Sequence, residues 1–316
     1  MKHFATRLII HCLVVAFGLL GLVSGTPAQA ASRNCTKAER TEANRWLWLS
    51  AADKMLSIGT HLPWGVPTET APTTNEMLLV QRDYVNLYDT DLLVPLWSAE
   101  RLEGARFGKV KDRINCFRRD PRLTNVQAAL PSDYKEPIYD QGHLTPDADQ
   151  DSSVTAAVNT YMMSNMMPQN CQTNRGIWQI LEGITRLWAK EHETVYILSG
   201  SVFDRDGDGL RDPDNMAERM KSNNGKRLVA IPSAFYKIIV RKMPDGSLTS
   251  LTLLLPHSEA NPDSDAAVPY LQDHVRTIGD IEKFTGLNLF PAATALTESS
   301  TFWSFVGRQP TSLCSE

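Results

Sequence analysis

Apolar side chains recur at helical spacing between residues 174 and 191, where Ile177, Ile180, Leu181, Ile184, Leu187 and Trp188 fall on one face of NRGIWQILEGITRLWAKE. A second stripe, Trp46, Leu47, Leu49 and Met55, predicts a helix over 36–58, opened by Thr36 as N-cap with Glu39 at the capping-box position. A third, Val275, Ile278, Ile281 and Phe284, predicts a helix over 271–286. Elsewhere the pattern has strand character. MLLVQRDYVNLYD and LLVPLWSAERL read as two strands joined by a short polar turn, and ETVYILSGSVF as another. RLVAIPSAFYKIIVRK and SLTSLTLLLP read as a hairpin turning at Pro244-Asp245-Gly246. The segment 60–76 is a Pro/Thr-rich loop. Helices and strands are mixed without regular alternation, and there is no repeat or low-complexity tract. The expected class is therefore α+β, with a mixed, mainly antiparallel central sheet and flanking helices.

The N-terminus changes the picture. Lys2 and Arg7 precede an apolar run from Leu8 to Val23, and Ala28 and Ala30 complete a small-x-small pattern. We expect a leader over 1–30 cut after Ala30, an N-terminal helical extension at 31–58 and one catalytic domain at 59–316. The product would be secreted or periplasmic, with no membrane segment in the mature form. Five cysteines are present. Cys12 leaves with the leader, so Cys35, Cys116, Cys171 and Cys314 would form two disulfides. Three pairings are open, and Cys35–Cys314 with Cys116–Cys171 is the favoured one. No two cysteines have the close spacing of a zinc knuckle. The formal net charge is −4, which argues against a bulk polycationic nucleic-acid binder. It leaves room for a local basic groove or for a metal cation set against phosphate. The densest basic stretch is KVKDRINCFRRDPR, with Lys109, Lys111, Arg113, Arg118, Arg119 and Arg122.

The candidate chemistry centres on YDQGHLTPDADQ, which sets His143 in a Gly/Pro/Asp-rich loop after a strand-like segment. Downstream, Asn174 opens the strongest helix, and Glu182 and Arg186 follow it on one i+4 ridge through Trp178. Each has an everyday alternative: a solvated loop histidine, an asparagine N-cap and a surface Glu–Arg pair. Taken together they supply what phosphodiester hydrolysis needs. A base activates water, a cation holds phosphate, and an amide suits a hard divalent ion that keeps most of its waters.

These motifs resemble those of the DNA/RNA non-specific endonucleases, the ββα-metal (His-Me finger) nucleases. YDQGHLTP is similar to the family's D-R-G-H-L-x-P motif, and SNMMPQNCQTNRGIWQILE to its S-N-x-x-P-Q…N-x-G-x-W-x-x-L-E motif. PLWSAERL, VYILSGSVF, VAIPSAFYKIIV and IEKFTGLNLFP resemble its further blocks, so the likeness spans about residues 60–312. It implies a ββα-metal motif with His143 as general base and Asn174 as the one direct protein ligand of Mg²⁺, for which Mn²⁺ can substitute. Glu182 would orient metal-bound waters, and Arg186 would bind phosphate. Asp140, Gln141, Asn165 and Gln169 would order the site or meet substrate. The implied activity is Mg²⁺-dependent, sugar-non-specific cleavage of DNA and RNA to 5′-phosphate ends. Two other readings keep the fold: a nuclease narrowed to RNA, single strands or small phosphodiesters, and a non-catalytic nucleic-acid-binding module. One departure stands out, since the family usually has arginine where this chain has Gln141. Separately, Asp204, Asp206 and Asp208, with Asp212, follow the start of a calcium loop, D-x-D-x-D-G, which would hold a structural Ca²⁺.

Overall fold

The computed structural model describes residues 32–70, 74–221, 228–258, 262, 264–301 and 303–305. The leader at 1–30, Cys12 and Cys314 lie outside them.

From the N-terminus the chain forms β1 (Ser32–Asn34), α1 (Lys37–Arg45), α2 (Ala51–His61), β2 (Thr68–Glu69), β3 (Glu76–Val80), β4 (Val85–Asp89) and β5 (Val94–Glu103). The middle of the chain holds β6 (Arg113–Asn115), β7 (Tyr139–His143), α3 (Val154–Thr160), β8 (Met166–Asn170), α4 (Cys171–Thr173) and α5 (Gln179–Glu191). A π-helical turn at Asn174–Trp178 joins α4 to α5. The last third adds β9 (Thr194–Val202), β10 (Ala234–Lys242), β11 (Leu248–Pro256), α6 (Ser264–Asp273), β12 (Val275–Arg276), α7 (Ile278–Thr285), β13 (Leu287–Asn288) and β14 (Leu296–Glu298).

The main sheet runs β12-β11-β10-β9-β5-β4-β3, and β14 pairs with β11 in parallel. The other pairings in it are antiparallel. The mainly antiparallel α+β reading is therefore borne out. Helix α5 packs on β5 and β9 and buries Ile180, Leu181, Ile184 and Trp188. At roughly 1.5–3 kcal/mol for each such side chain, that burial far outweighs the few tenths available from a surface i,i+4 pair. The helix is held by its apolar face, and its polar positions are free to serve the site. β7 and β8 form a separate antiparallel hairpin that runs directly into α4 and α5. Hairpin and helix together make the ββα unit.

Several expected elements are divided. The helix over 36–58 is two helices, because Ser50 caps a new one by accepting from the Asp53 amide. Its proposed apolar face is only half formed, since Leu47 is buried while Met55 is 75% exposed. The helix over 271–286 is likewise broken at β12, where Val275 pairs with Leu253 and Thr277 starts α7 with a capping box to Asp280. MLLVQRDYVNLYD is a hairpin of β3 and β4, closed by the Gln81 amide donating to Tyr84.

The favoured disulfide pairing is overturned. Cys35 bonds Cys116, because β1 pairs in parallel with β6 and brings the two residues side by side just past the strand ends. Cys171 is also disulfide-bonded.

Candidate active site

His143 does not sit in a loop. It is the last residue of β7, opposite Met166, and it is buried. Two neighbours fix this hairpin. Gly142 faces Gln169 so closely that an added methyl would overlap the Gln169 carboxamide. Asn165 then pins the chain leaving His143. Its Oδ1 accepts from the Thr145 amide (3.1 Å), and its Nδ2 donates to the carbonyls of Thr145 and Thr160 (2.9 Å each).

The ring of His143 stands perpendicular to Tyr161, with centroids 4.7 Å apart. Its Nε2 is buried without a hydrogen-bond partner among the described residues, and Nδ1 is not closed off in this way. Other histidines here behave differently. His61 donates from Nε2 to Arg82 and accepts at Nδ1 from the Arg101 amide, so its ring is fully used by the fold. Burial pulls the pKa of His143 down to about 4; Asp147 opposes this and Arg113 reinforces it. The imidazole is therefore neutral and proton-accepting at neutral pH. Asp147 lies four residues further on in sequence, in the turn after β7, and was missed by the sequence reading. Tyr161 Oη donates to it (2.5 Å). Burial alone would raise its carboxyl, but His143, Arg113 and that hydrogen bond hold it below the usual range. Asp147 is placed to stabilise an imidazolium once His143 takes a proton.

Asp140 ties the hairpin to the helix. Its Oδ2 accepts from Asn174 Nδ2 (2.8 Å), and Arg175 grips both carboxylate oxygens from Nε and Nη2 (2.8 and 2.7 Å). Because a carboxylate accepts and does not donate, Nδ2 must face Asp140, which leaves Asn174 Oδ1 as the outward acceptor. Asn174 has helical backbone angles, and the cap belongs to Asn170, whose Oδ1 accepts from the Gln172 amide. The N-cap alternative for Asn174 therefore fails. The π-turn also sets Asn174 off the strict i+4 ridge expected through Trp178, which is buried.

Glu182 and Arg186, one turn apart on α5, meet a group the sequence reading overlooked. Lys237 of β10 is buried. It donates to Ser199 Oγ (2.7 Å) and lies over the Trp178 ring at 4.7 Å. The signal was a lysine inside the otherwise apolar run FYKIIV. Burial pushes Glu182 up to about 7, countered by Arg186 and Lys237 and reinforced by Asp149 and Asp147. Arg186 Nη1 donates to Asp149 Oδ1 (2.6 Å). The donor set suits a hard divalent cation: one outward amide oxygen and one buried carboxylate, with the buried Gln141 Oε1 left without a hydrogen-bond partner among the described residues.

The profile of the DNA/RNA non-specific endonucleases matches residues 66–296. The chain belongs to this family. It is 29% identical over 212 residues to human mitochondrial endonuclease G, covering 67% of this chain and 68% of that protein. It is 29% identical over 217 residues to the mitochondrial nuclease EXOG of Danio rerio, covering 66% of this chain and 60% of that protein. Nuclease C1 of Cunninghamella echinulata var. echinulata is 29% identical over 225 residues, 69% of this chain and 84% of that protein. These relatives are nucleases. They also correct the expectation of a secreted or periplasmic protein, because endonuclease G and EXOG, the latter in fish and mouse, are mitochondrial enzymes. No helix among the described residues is long and apolar enough to cross a membrane.

The nuclease family's usual arginine is replaced here by Gln141, whose Nε2 makes, among the described residues, one long 3.4 Å bond to the Pro131 carbonyl. The basic segment downstream of β5 divides sharply. Arg118 is consumed by Asn44, Cys116, Val158 and Asn159, Arg119 by Leu123, and Arg122 by Asp120 and Val80. Arg113 alone of these four borders the site. It lies 5.8 Å from the Tyr161 ring and 3.9 Å from Asp147, and it feels Glu182.

Elsewhere in the chain the carboxylates of Asp204, Asp206 and Asp208 converge to within 4.8 Å. Asp212 instead accepts from the Arg205 amide (2.6 Å), and two oxygens of Asp204 are taken by the Gly207 and Gly209 amides.

Proposed function

We propose that this chain is a divalent-metal-dependent endonuclease that hydrolyses DNA and RNA without regard to sugar, using Mg²⁺ with Mn²⁺ as substitute, and leaves 5′-phosphate ends. The observation that carries it is the Asp140 bridge, which fixes the Asn174 amide to the same hairpin that ends in His143. His143, with Nδ1 open and the ring neutral, takes a proton from the attacking water. Asp147 offsets the charge that then develops on the ring. Asn174 Oδ1 and Glu182 would hold the hydrated cation, which supplies charge compensation at the phosphate and the leaving oxygen. Arg186, braced by Asp149, and Arg113, in place of the missing family arginine, bind phosphate oxygens. Asn165, Gln169 and Gln141 keep the hairpin in shape. The division into an extension at 31–58 and a nuclease domain at 59–316 belongs to the same proposal, supported by a family match that begins at residue 66.

The test is a cleavage assay on duplex DNA, single-stranded DNA and RNA, with and without EDTA. All three should be cut, and only in the presence of metal. His143→Ala and Asn174→Ala should each lose about 100-fold or more in rate. Full activity in either purified variant removes this mechanism, and cutting of RNA alone would support the narrower reading.

A further inference from the structure

We propose that a cavity at the far end of the catalytic hairpin is a subsite for one nucleotide of the substrate strand, with the base inside and its phosphate on Arg205. This rests on the phosphodiesterase reading above. The cavity measures about 360 Å³, at the lower end of the range for sites that enclose one small ligand. Its walls are Tyr139, Phe203, His257 and Ile231, with Arg205 and Glu218 at the rim.

One part of the wall, Tyr139, Phe203 and His257, is aromatic and uncharged. His257 accepts at Nε2 from the Asn170 amide (2.6 Å), so its other nitrogen, 2.7 Å from the Pro232 carbonyl, is the donor. With both nitrogens bonded, the ring is neutral and fixed. It stands 4.8 Å from Phe235 and 5.8 Å from Tyr139. Stacking on such surfaces is worth roughly 1–3 kcal/mol per base and does not depend on sequence.

Among the described residues the lining offers one cation, Arg205, to a phosphate. Arg205 is exposed, and its guanidinium makes no hydrogen bond or ion pair among the described residues. The loop that carries it is fixed over the opening, because Asp212 accepts from the Arg205 amide (2.6 Å) and Ser233 Oγ accepts from the Asp204 amide (3.0 Å). The carboxylates of Asp204, Asp212 and Glu218 also line the cavity. Asp204 and Asp212 accept from backbone amides, which offsets part of their charge.

The cavity also adjoins the catalytic unit. Tyr139 and Asn170 are the paired residues at one end of the hairpin, and His143 and Met166 are the pair at the other. Four residue steps of strand run from Tyr139 to His143, roughly 13 Å, so a strand bound along this hairpin reaches from the cavity to His143. Thr173 Oγ1 donates to Ser258 (2.6 Å), tying the opposite wall to the turn that carries Asn174.

The test is calorimetric titration of the full chain in EDTA, first with dAMP and then with deoxyribose 5-phosphate, which has no base. Saturable dAMP binding is expected, with the sugar phosphate at least about tenfold weaker. Arg205→Ala, a change at an exposed side chain, should weaken dAMP about tenfold, and Ala217→Trp should fill the cavity and abolish binding. Absence of saturable dAMP binding, equal affinity for the base-free sugar phosphate, or unchanged dAMP affinity in both variants overturns the proposal. Because dAMP and the sugar phosphate contain no phosphodiester bond to cleave, this result is independent of whether His143→Ala abolishes hydrolysis, and the two readings fail separately.

Discussion

Asp140 and Lys237 are the residues whose roles follow most directly from their contacts. Asp140 accepts from both Asn174 and Arg175, so its removal frees the Asn174 amide to rotate. Outer-sphere groups of this kind typically contribute 10–100-fold to metal affinity or activity. Asp140→Ala should therefore raise the Mg²⁺ concentration for half-maximal cleavage by about that factor, and an unchanged metal requirement would dissociate Asp140 from the site. Lys237 is buried among Glu182, Asp149 and Glu100, all of which favour its charged form against burial. Lys237→Met would leave those carboxylates without their central cation. Breaking a buried charge group from one side costs roughly 3–5 kcal/mol, which thermal unfolding should register as a lower Tm alongside slower cleavage. At this scale the candidate residues His143, Asn174, Glu182 and Arg186 could be picked out because the two motifs hold them at fixed spacing. Asp147, Asp149 and Lys237 could not, because nothing local separates a buried acid in DADQ or a buried lysine in FYKIIV from ordinary surface charge.

The catalytic hairpin depends on a close approach at the element scale. Gly142 leaves the space that the Gln169 side chain occupies. Gly142→Ala should cost about 1–3 kcal/mol of overpacking strain and shift His143, so both Tm and kcat should fall. A variant with native Tm and kcat would show that the hairpin yields freely. Helix boundaries show why periodicity misleads here. The stripes over 36–58 and 271–286 continue across breaks, but Ser50 with Asp53 and Thr277 with Asp280 start new helices inside them. Those Ser/Thr-x-x-Asp signals were present in the sequence and were outranked by the apolar pattern. The hairpin position of His143 was hidden because Gly, Asp and Pro around it look like loop residues, whereas β7 is made by pairing with β8.

At the scale of the whole molecule, metal binding and protonation are linked through Glu182. Its folded pKa, raised to about 7 by burial among Arg186, Lys237, Asp149 and Asp147, lies above the ordinary carboxylate value. Between those two values the folded state binds the extra proton, so without metal this group's contribution to stability is lost as pH rises towards 7. A divalent cation needs the ionised carboxylate and reverses that loss. The Tm increase produced by Mg²⁺ should accordingly be larger at pH 8 than at pH 5.5, and Glu182→Gln should flatten the difference. His143 has the opposite sign, being neutral in the fold down to about pH 4, and it affects both metal states alike. The Cys35–Cys116 bond spans 81 residues. Removing it with paired alanines should destabilise by up to about 4.5 kcal/mol on loop-entropy grounds, detectable as a lower denaturant midpoint.

The sequence by itself determined the class of fold and the two motifs that hold His143, Asn174 and Glu182, because those depend on local periodicity and fixed spacing along the chain. Only the tertiary structure decided the rest. It paired Cys35 with Cys116 through β1 and β6, and it brought Lys237 from a distant strand under Glu182. It left Arg113 beside the site while the fold consumed Arg118, Arg119 and Arg122. Burial, charge compensation and hydrogen-bond satisfaction are set by residues far apart in sequence, and these are the quantities that separate a catalytic histidine from a structural one.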